Sequence, residues 1–214
     1  MIFLNLKTYK EATGEKGVTL LSSIKKIKSR VKIIPIVQAT DIYRIKKELG
    51  IEVWAQHVDP IDEGRGTGYI SAFSLKEAGA AGVLINHSEH KLEKEAIIFV
   101  VKKAKENNLK TLLIGHSFSM LLHFDSYPVD FLAYEEERLI GGEVSVIEKQ
   151  GEIISKLTKR LKHPLIVGAG IKSGEDVRKA ILFGAKGVLL SSHFVKAESP
   201  EEKLKELSLP FENF

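Results

Sequence analysis

Eight short apolar runs punctuate this chain, and their spacing narrows its possible folds more than any other feature. They are IFLNL (2–6), KIIPIV (32–37), IEVWAQHV (51–58), GVLINH (82–87), TLLIGH (111–116), DFLAYE (130–135), PLIVGA (164–169) and GVLLSS (187–192). Many are apolar throughout, the pattern of parallel strands covered on both faces. Amphipathic helical patterns lie between them. Leu20, Ile24 and Ile27 share a face, as do Ile42, Ile45 and Leu49; Ile97, Val100, Val101 and Ala104; and Val177, Ala180 and Ile181. Gly79 and Gly184 stand where left-handed helix caps are wanted. Ser173 is placed to cap a helix with Glu175 and Asp176 in its first turn.

Strands alternating with helices in this number predict an α/β fold, a (β/α)8 barrel forming a single domain over 1–214. An open doubly wound sheet has fewer strands and a glycine-rich turn after the first, whereas the first run here continues as NLKTYK. At 214 residues the chain is short for a barrel that typically takes about 250, so some outer helices must be abbreviated. Pro35 inside the second run predicts a local bulge, and Trp54 is expected in core or interface packing.

Composition excludes several functions. No apolar stretch approaches the roughly 18–20 residues of a membrane span, and the start, MIFLNLKTYK, has no basic segment ahead of its apolar run, so it does not read as a signal peptide. Cysteine is absent, which removes disulfides and thiolate metal sites. Lys and Arg are interleaved with acids, without an Arg-rich block, so neither nucleic acid nor membrane is an expected partner. A cytoplasmic protein is expected.

In such a barrel, chemistry gathers at the C-terminal ends of the strands, and the unusual polar residues fall there. Run 1 ends with Asn5 and Lys7, run 4 with Asn86, His87, Ser88 and Glu89, and run 6 with Glu135. Run 7 ends in VGAGI and run 8 in LLSSH. Gly168, Ala169 and Gly170, with Ser191 and Ser192, suggest an anion cup of backbone donors and helix starts. A charge run such as Glu135–Glu136–Glu137 is ordinarily a solvated turn, and a lone strand-end histidine is ordinarily structural. Together beside a phosphate cup they suggest something else. A carboxylate can remove a proton from carbon beside a carbonyl, and Lys7, Asn5 and His87 can hold the charge that develops on oxygen.

The stretches NLKTY, AQHVDP, GRGTG, INHSEH, AYE followed by LIGGEVSV, VGAGIKSGEDV and KGVLLSS occur in order over nearly the full length. With them the chain resembles triosephosphate isomerase, and more closely its short archaeal type. The resemblance implies a phosphorylated triose substrate, no cofactor and no metal, and a place in glycolysis and gluconeogenesis. It implies that Glu135 is the base, His87 a neutral electrophile and Lys7 a fixed positive charge. Asn5 would orient substrate or Lys7, and Glu89 would be a buried carboxylate partnering Lys7 or Asn5. Backbone N–H groups of Gly141, Gly170, Ser191 and Ser192 would hold the phosphate. Glu136 to Gly142 would be a closing lid with Ile140 as its apolar latch. The GRGTG loop (64–68), Thr67 at its tip, would insert into a neighbouring subunit. A homo-oligomer is expected, a tetramer ahead of a dimer.

The sequence also departs from the family's pattern. Glu136 and Glu137 stand where a hinge proline follows the catalytic glutamate, His90 where arginine is usual, and His193 where archaeal relatives carry glycine. The hinge change supports one alternative, a non-catalytic or weakly active phosphate-ligand binder. A metal site on His87, Glu89 and His90, with His57 and Asp59, is the other, although on a strand His87 and Glu89 share a face and His90 does not.

Overall fold

In the computed structural model, which describes residues 1–136 and 146–212, the eight strands are β1 Ile2–Asn5, β2 Ile33–Val37, β3 Trp54–Ala55, β4 Gly82–Ile85, β5 Lys110–Gly115, β6 Phe131–Tyr134, β7 Leu165–Val167 and β8 Gly187–Leu190. All pair in parallel with their sequence neighbours, and β8 pairs with β1 (Ile2↔Val188), closing a barrel. The helices are α1 Glu15–Ser22, α2 Ala39–Leu49, α3 Ala72–Glu77, α4 Lys94–Glu106, α5 Phe118–Phe124, α6 Val146–Arg160, α7 Gly174–Leu182, α8 Ser192–Val195 and α9 Pro200–Ser208. Helices α3, α5 and α8 have six, seven and four residues, the abbreviation that chain length required.

Strand alternation sorts the core into two layers. Phe3, Ile34, Ile36, Trp54, Leu112 and Ile166 point inward and fill the barrel. Ile2, Leu4, Val37, Leu113 and Val188 point outward and meet the apolar helix faces, including Ile42, Ile45 and Leu49 of α2 and Ile97, Val100 and Val101 of α4. Trp54 packs edge-on against Phe3, ring centroids 5.2 Å apart, and its indole N–H donates to Glu52. The Ser173 cap forms as a full capping box with Asp176.

Two local expectations are corrected. The third run is strand only at Trp54–Ala55. Pro35 causes no bulge: it stays in register opposite Leu4. Carbonyls of Lys32 and Ile36 accept from β1, and that of Val37 accepts from Gln56 after β3. By alternation the missing N–H of Pro35 faces β3, whose pairing with β2 begins one residue later, at Ile36↔Trp54.

Candidate active site

The C-terminal rim of the barrel gathers Asn5, Lys7, His87, Glu135, Gly170, Ser191 and Ser192 around one pocket. Each arrives by a specific local device. Lys7, just beyond β1, has a positive φ of 46°, a conformation costly for a side-chain-bearing residue. It is held there: Asn5 Oδ1 accepts from the Lys7 backbone N–H at 3.1 Å, and Gln56 Nε2 donates to the Lys7 carbonyl at 3.0 Å. Gln56 also reaches Asn5 Oδ1 at 3.3 Å. The Lys7 ammonium meets Glu89 Oε1 at 2.5 Å.

His87 is placed by Asn86, which has φ +64° and ties the turn at both ends. Its amide donates to the Ile114 carbonyl and accepts from the Leu92 N–H. The Glu89 backbone N–H donates to His87 Nδ1 at 3.1 Å. A backbone N–H is a donor alone, so Nδ1 must carry the lone pair and a neutral ring carries its proton on Nε2. Burial pushes the imidazole pKa down to about 4, with the Lys7 and His116 charges adding to it against the opposing pull of Glu89. Nε2 lies 3.5 Å from Glu135 Oε2.

Glu135 follows β6 and is 5% exposed. Its carboxylate fits because residue 168 is glycine: a Cβ there would lie 2.5 Å from Oε1. Oε2 has no hydrogen-bond partner among the described residues. Burial raises the pKa to about 7, outweighing the opposing Lys7 charge. A carboxyl poised near neutrality beside a neutral imidazole N–H and an ammonium is equipped for proton transfer next to an oxygen that acquires charge.

The opposite wall is backbone. Ala169 and Gly170 both have positive φ, 75° and 72°, and α8 starts at Ser192, so the first N–H groups of that turn have no intrahelical partner. Ser191 Oγ is buried without a hydrogen-bond partner among the described residues. Ile140 and Gly141, with the rest of the expected lid from 137 to 142, lie outside the described residues.

Some placements differ from the sequence reading. Glu89 is the partner of Lys7, but its side chain is 56% exposed instead of buried, because it sits on the turn beyond β4. His116 is half-buried with Nδ1 3.3 Å from the Glu135 carbonyl oxygen. His90 stacks on His57 at 3.8 Å between ring centroids, and His57 pairs with Asp59. No cluster of three metal-ligating side chains occurs among the described residues. Gln56 was missed as a site residue, and Gly168, expected only in the anion cup, also makes room for the Glu135 carboxylate. Their signal was present: each is the first residue after the apolar stretch of β3 or β7.

Comparison with known proteins gives a consistent result. A family profile described as triosephosphate isomerase matches residues 1–120. The triosephosphate isomerase of Saccharolobus solfataricus is 37% identical over 96% of this chain and 93% of that protein. That of Methanothermus fervidus is 37% identical over 97% and 96%. The crystal structure of triosephosphate isomerase from Bartonella henselae superposes with a TM-score of 0.72 at 23% identity, covering 89% of this chain and 91% of that one, a likeness of fold.

Proposed function

This chain belongs to the triosephosphate isomerase family, and from that membership we infer that it interconverts dihydroxyacetone phosphate and D-glyceraldehyde 3-phosphate. The observation that carries the chemical reading is the meeting of Glu135, His87 and Lys7 in one pocket whose far wall is Gly170, Ser191 and Ser192.

In that reading the phosphate sits against the backbone donors of Gly170, Ser191 and Ser192. Glu135 then takes the proton from the carbon beside the carbonyl, and the C–H electron pair becomes the enediolate double bond. The charge that moves onto oxygen is met by Nε2–H of His87, the Lys7 ammonium and Asn5. His87 passes the hydroxyl proton from one oxygen of the enediolate to the other, and Glu135 returns its proton to the neighbouring carbon, so no proton is gained or lost overall. Keeping His87 neutral matters here, because a neutral N–H is closer in acidity to the enediol oxygen than an imidazolium would be. A glutamate base paired with a neutral imidazole is the established pattern of triosephosphate isomerase itself. Glu136, whose carboxylate accepts from the Tyr134 hydroxyl at 3.2 Å, begins the hinge; the segment beyond it would close over the intermediate, with Ile140 as latch and Gly141 on the phosphate. Closure would exclude water and suppress loss of phosphate from the enediolate.

The assembly proposed is a homo-oligomer, a tetramer ahead of a dimer, with the Thr67 loop inserted into a neighbour, and the place of action is the cytoplasm. No helix among the described residues is long and apolar enough to cross a membrane.

Coupling glyceraldehyde 3-phosphate formation to a dehydrogenase tests the activity. We expect turnover in the wild type and a loss of about 10²–10⁴-fold in Glu135→Gln. Binding of phosphoglycolate without turnover would select the non-catalytic alternative.

A further inference from the structure

Of the two imidazoles that line the pocket, one has no part in the mechanism above. His193, second residue of α8, lines the cavity next to Gly170, Ser191 and Ser192 and is solvent-exposed. Its charged surroundings come from three elements. Lys172 precedes α7, Asp176 belongs to α7, and Lys203 belongs to α9. Lys203 donates to Glu206 at 2.7 Å and to the Lys172 carbonyl at 3.2 Å. Asp176 is engaged in the α7 cap, accepting from the backbone N–H groups of Lys172 and Ser173. Across the cavity stand Lys7 and Glu135. Behind the anion cup the two lysines are matched by two carboxylates, Asp176 and Glu206, and neither lysine lines the cavity; His193 does.

We propose that His193 is a phosphate-positioning residue of this chain, contacting the bound dianion from the α8 side and binding it more tightly when protonated. The proposal rests on the anion cup inferred above. In the free protein, partial burial and the two lysines hold the imidazole below its ordinary pKa, against the pull of Asp176, so near neutrality it is mostly uncharged. An arriving dianion favours the charged ring. By reciprocity, protonating the ring strengthens the hold on the dianion. The sign follows: affinity rises as pH falls through the range where the liganded imidazole titrates. Above that range His193 adds no pH dependence. The phosphate does not react, so the effect belongs more to KM than to kcat.

Sulfate separates the possibilities, because it keeps its double charge over the whole histidine range while a phosphate ester does not. Competitive inhibition by sulfate is measured from about pH 8 down to about pH 6 in the wild type, His193→Asn and His193→Lys, with each variant's fold checked by circular dichroism. Glu135 titrates in the same window in every variant, so the difference between variants is what is read. The expected result is a sulfate inhibition constant that tightens roughly fivefold more in the wild type than in His193→Asn. His193→Lys should be tight at both ends of the range. The wild-type loss in His193→Asn should fall on KM more than kcat, and grow toward low pH. Parallel wild-type and His193→Asn curves overturn the proposal while leaving the isomerase reading intact. Failure of sulfate to compete in the wild type overturns the anion cup itself, and this proposal with it.

Discussion

The charge state of Glu135 is set by burial, and that choice has two opposite consequences. As the proposed base it would work only when ionised, so kcat/KM should rise with pH and level off above about 7, falling roughly tenfold per unit below. As a buried carboxyl it is a liability. A glutamate in the unfolded chain titrates near 4.3, so between that value and about 7 the folded protein binds one more proton than the unfolded chain. Stability contributed by this group is therefore present at low pH and is lost as pH rises to about 7. Glu135→Gln should be more stable than the wild type at pH 8, by on the order of 3 kcal/mol, and the gap should close toward pH 5. Thermal melts across that range check it, and equal melting temperatures at pH 8 would contradict the burial argument. His87 behaves in the reverse sense. Its ring should stay neutral down to about pH 4, so the Nδ1 resonance in nitrogen NMR should keep its unprotonated shift at pH 5. At this scale the sequence placed Asn5, Lys7, His87 and Glu135 at one rim, since each is a polar side chain ending an apolar run. It could not show the second rank. Its place after β3 puts Gln56 at the rim but does not reveal it as the clamp on Lys7, and the exposure of Glu89 depends on the turn beyond β4, which no residue pattern encodes.

The elements divide their glycines between fold and chemistry, and two substitutions should separate the roles. A Cβ on Gly82 at the start of β4 would lie 2.4 Å from the Trp54 ring and 2.8 Å from the Lys110 carbonyl oxygen. Both are fixed, one in the barrel core and one in the neighbouring strand. Gly82→Ala should cost about 2–3 kcal/mol of stability. A Cβ on Gly168, after β7, meets instead the carboxylate of Glu135 at 2.5 Å, the movable end of a side chain. Gly168→Ala should leave the melting temperature nearly unchanged but displace the base, with a loss of about 10²-fold in kcat. Melting curves and initial rates on the two variants give the test; a Gly168→Ala protein of normal activity would show that the position of Glu135 is not fixed by β7. The pattern of strands was legible because period and apolarity are local. Their lengths were not. Apolar Ile51 and Val53 look like strand, but β3 pairs with β2 only from Ile36↔Trp54, one residue after Pro35, which has no N–H to offer on that side.

Among the exposed apolar side chains of the described residues, two sets bear on assembly. Tyr69, 61% exposed, adjoins the 64–68 loop, and Phe73 follows on α3. A second group lies elsewhere: Ile98 on α4 is 48% exposed beside Val101, Tyr127 and Pro128. Self-complementary faces generate two-fold pairs, and two such faces on one protomer generate a closed tetramer. Tyr127 and Pro128 follow the short α5, so the abbreviated helices that make this barrel small would also offer surface to a neighbour. The two faces predict separable outcomes. Ile98→Glu should convert the proposed tetramer to an active dimer, because no α4 residue lines the pocket that holds Lys7 and Glu135. Thr67→Arg should break the other contact and lower kcat as well, since the loop beside it carries Ile70, whose N–H holds Asp59 under the His57–His90 stack that leads to Glu89 and Lys7. Light scattering at micromolar concentration reads the mass against the 23.8 kDa chain. A wild type that is monomeric and fully active would remove the case for assembly, and with it any role of a neighbour in ordering the site.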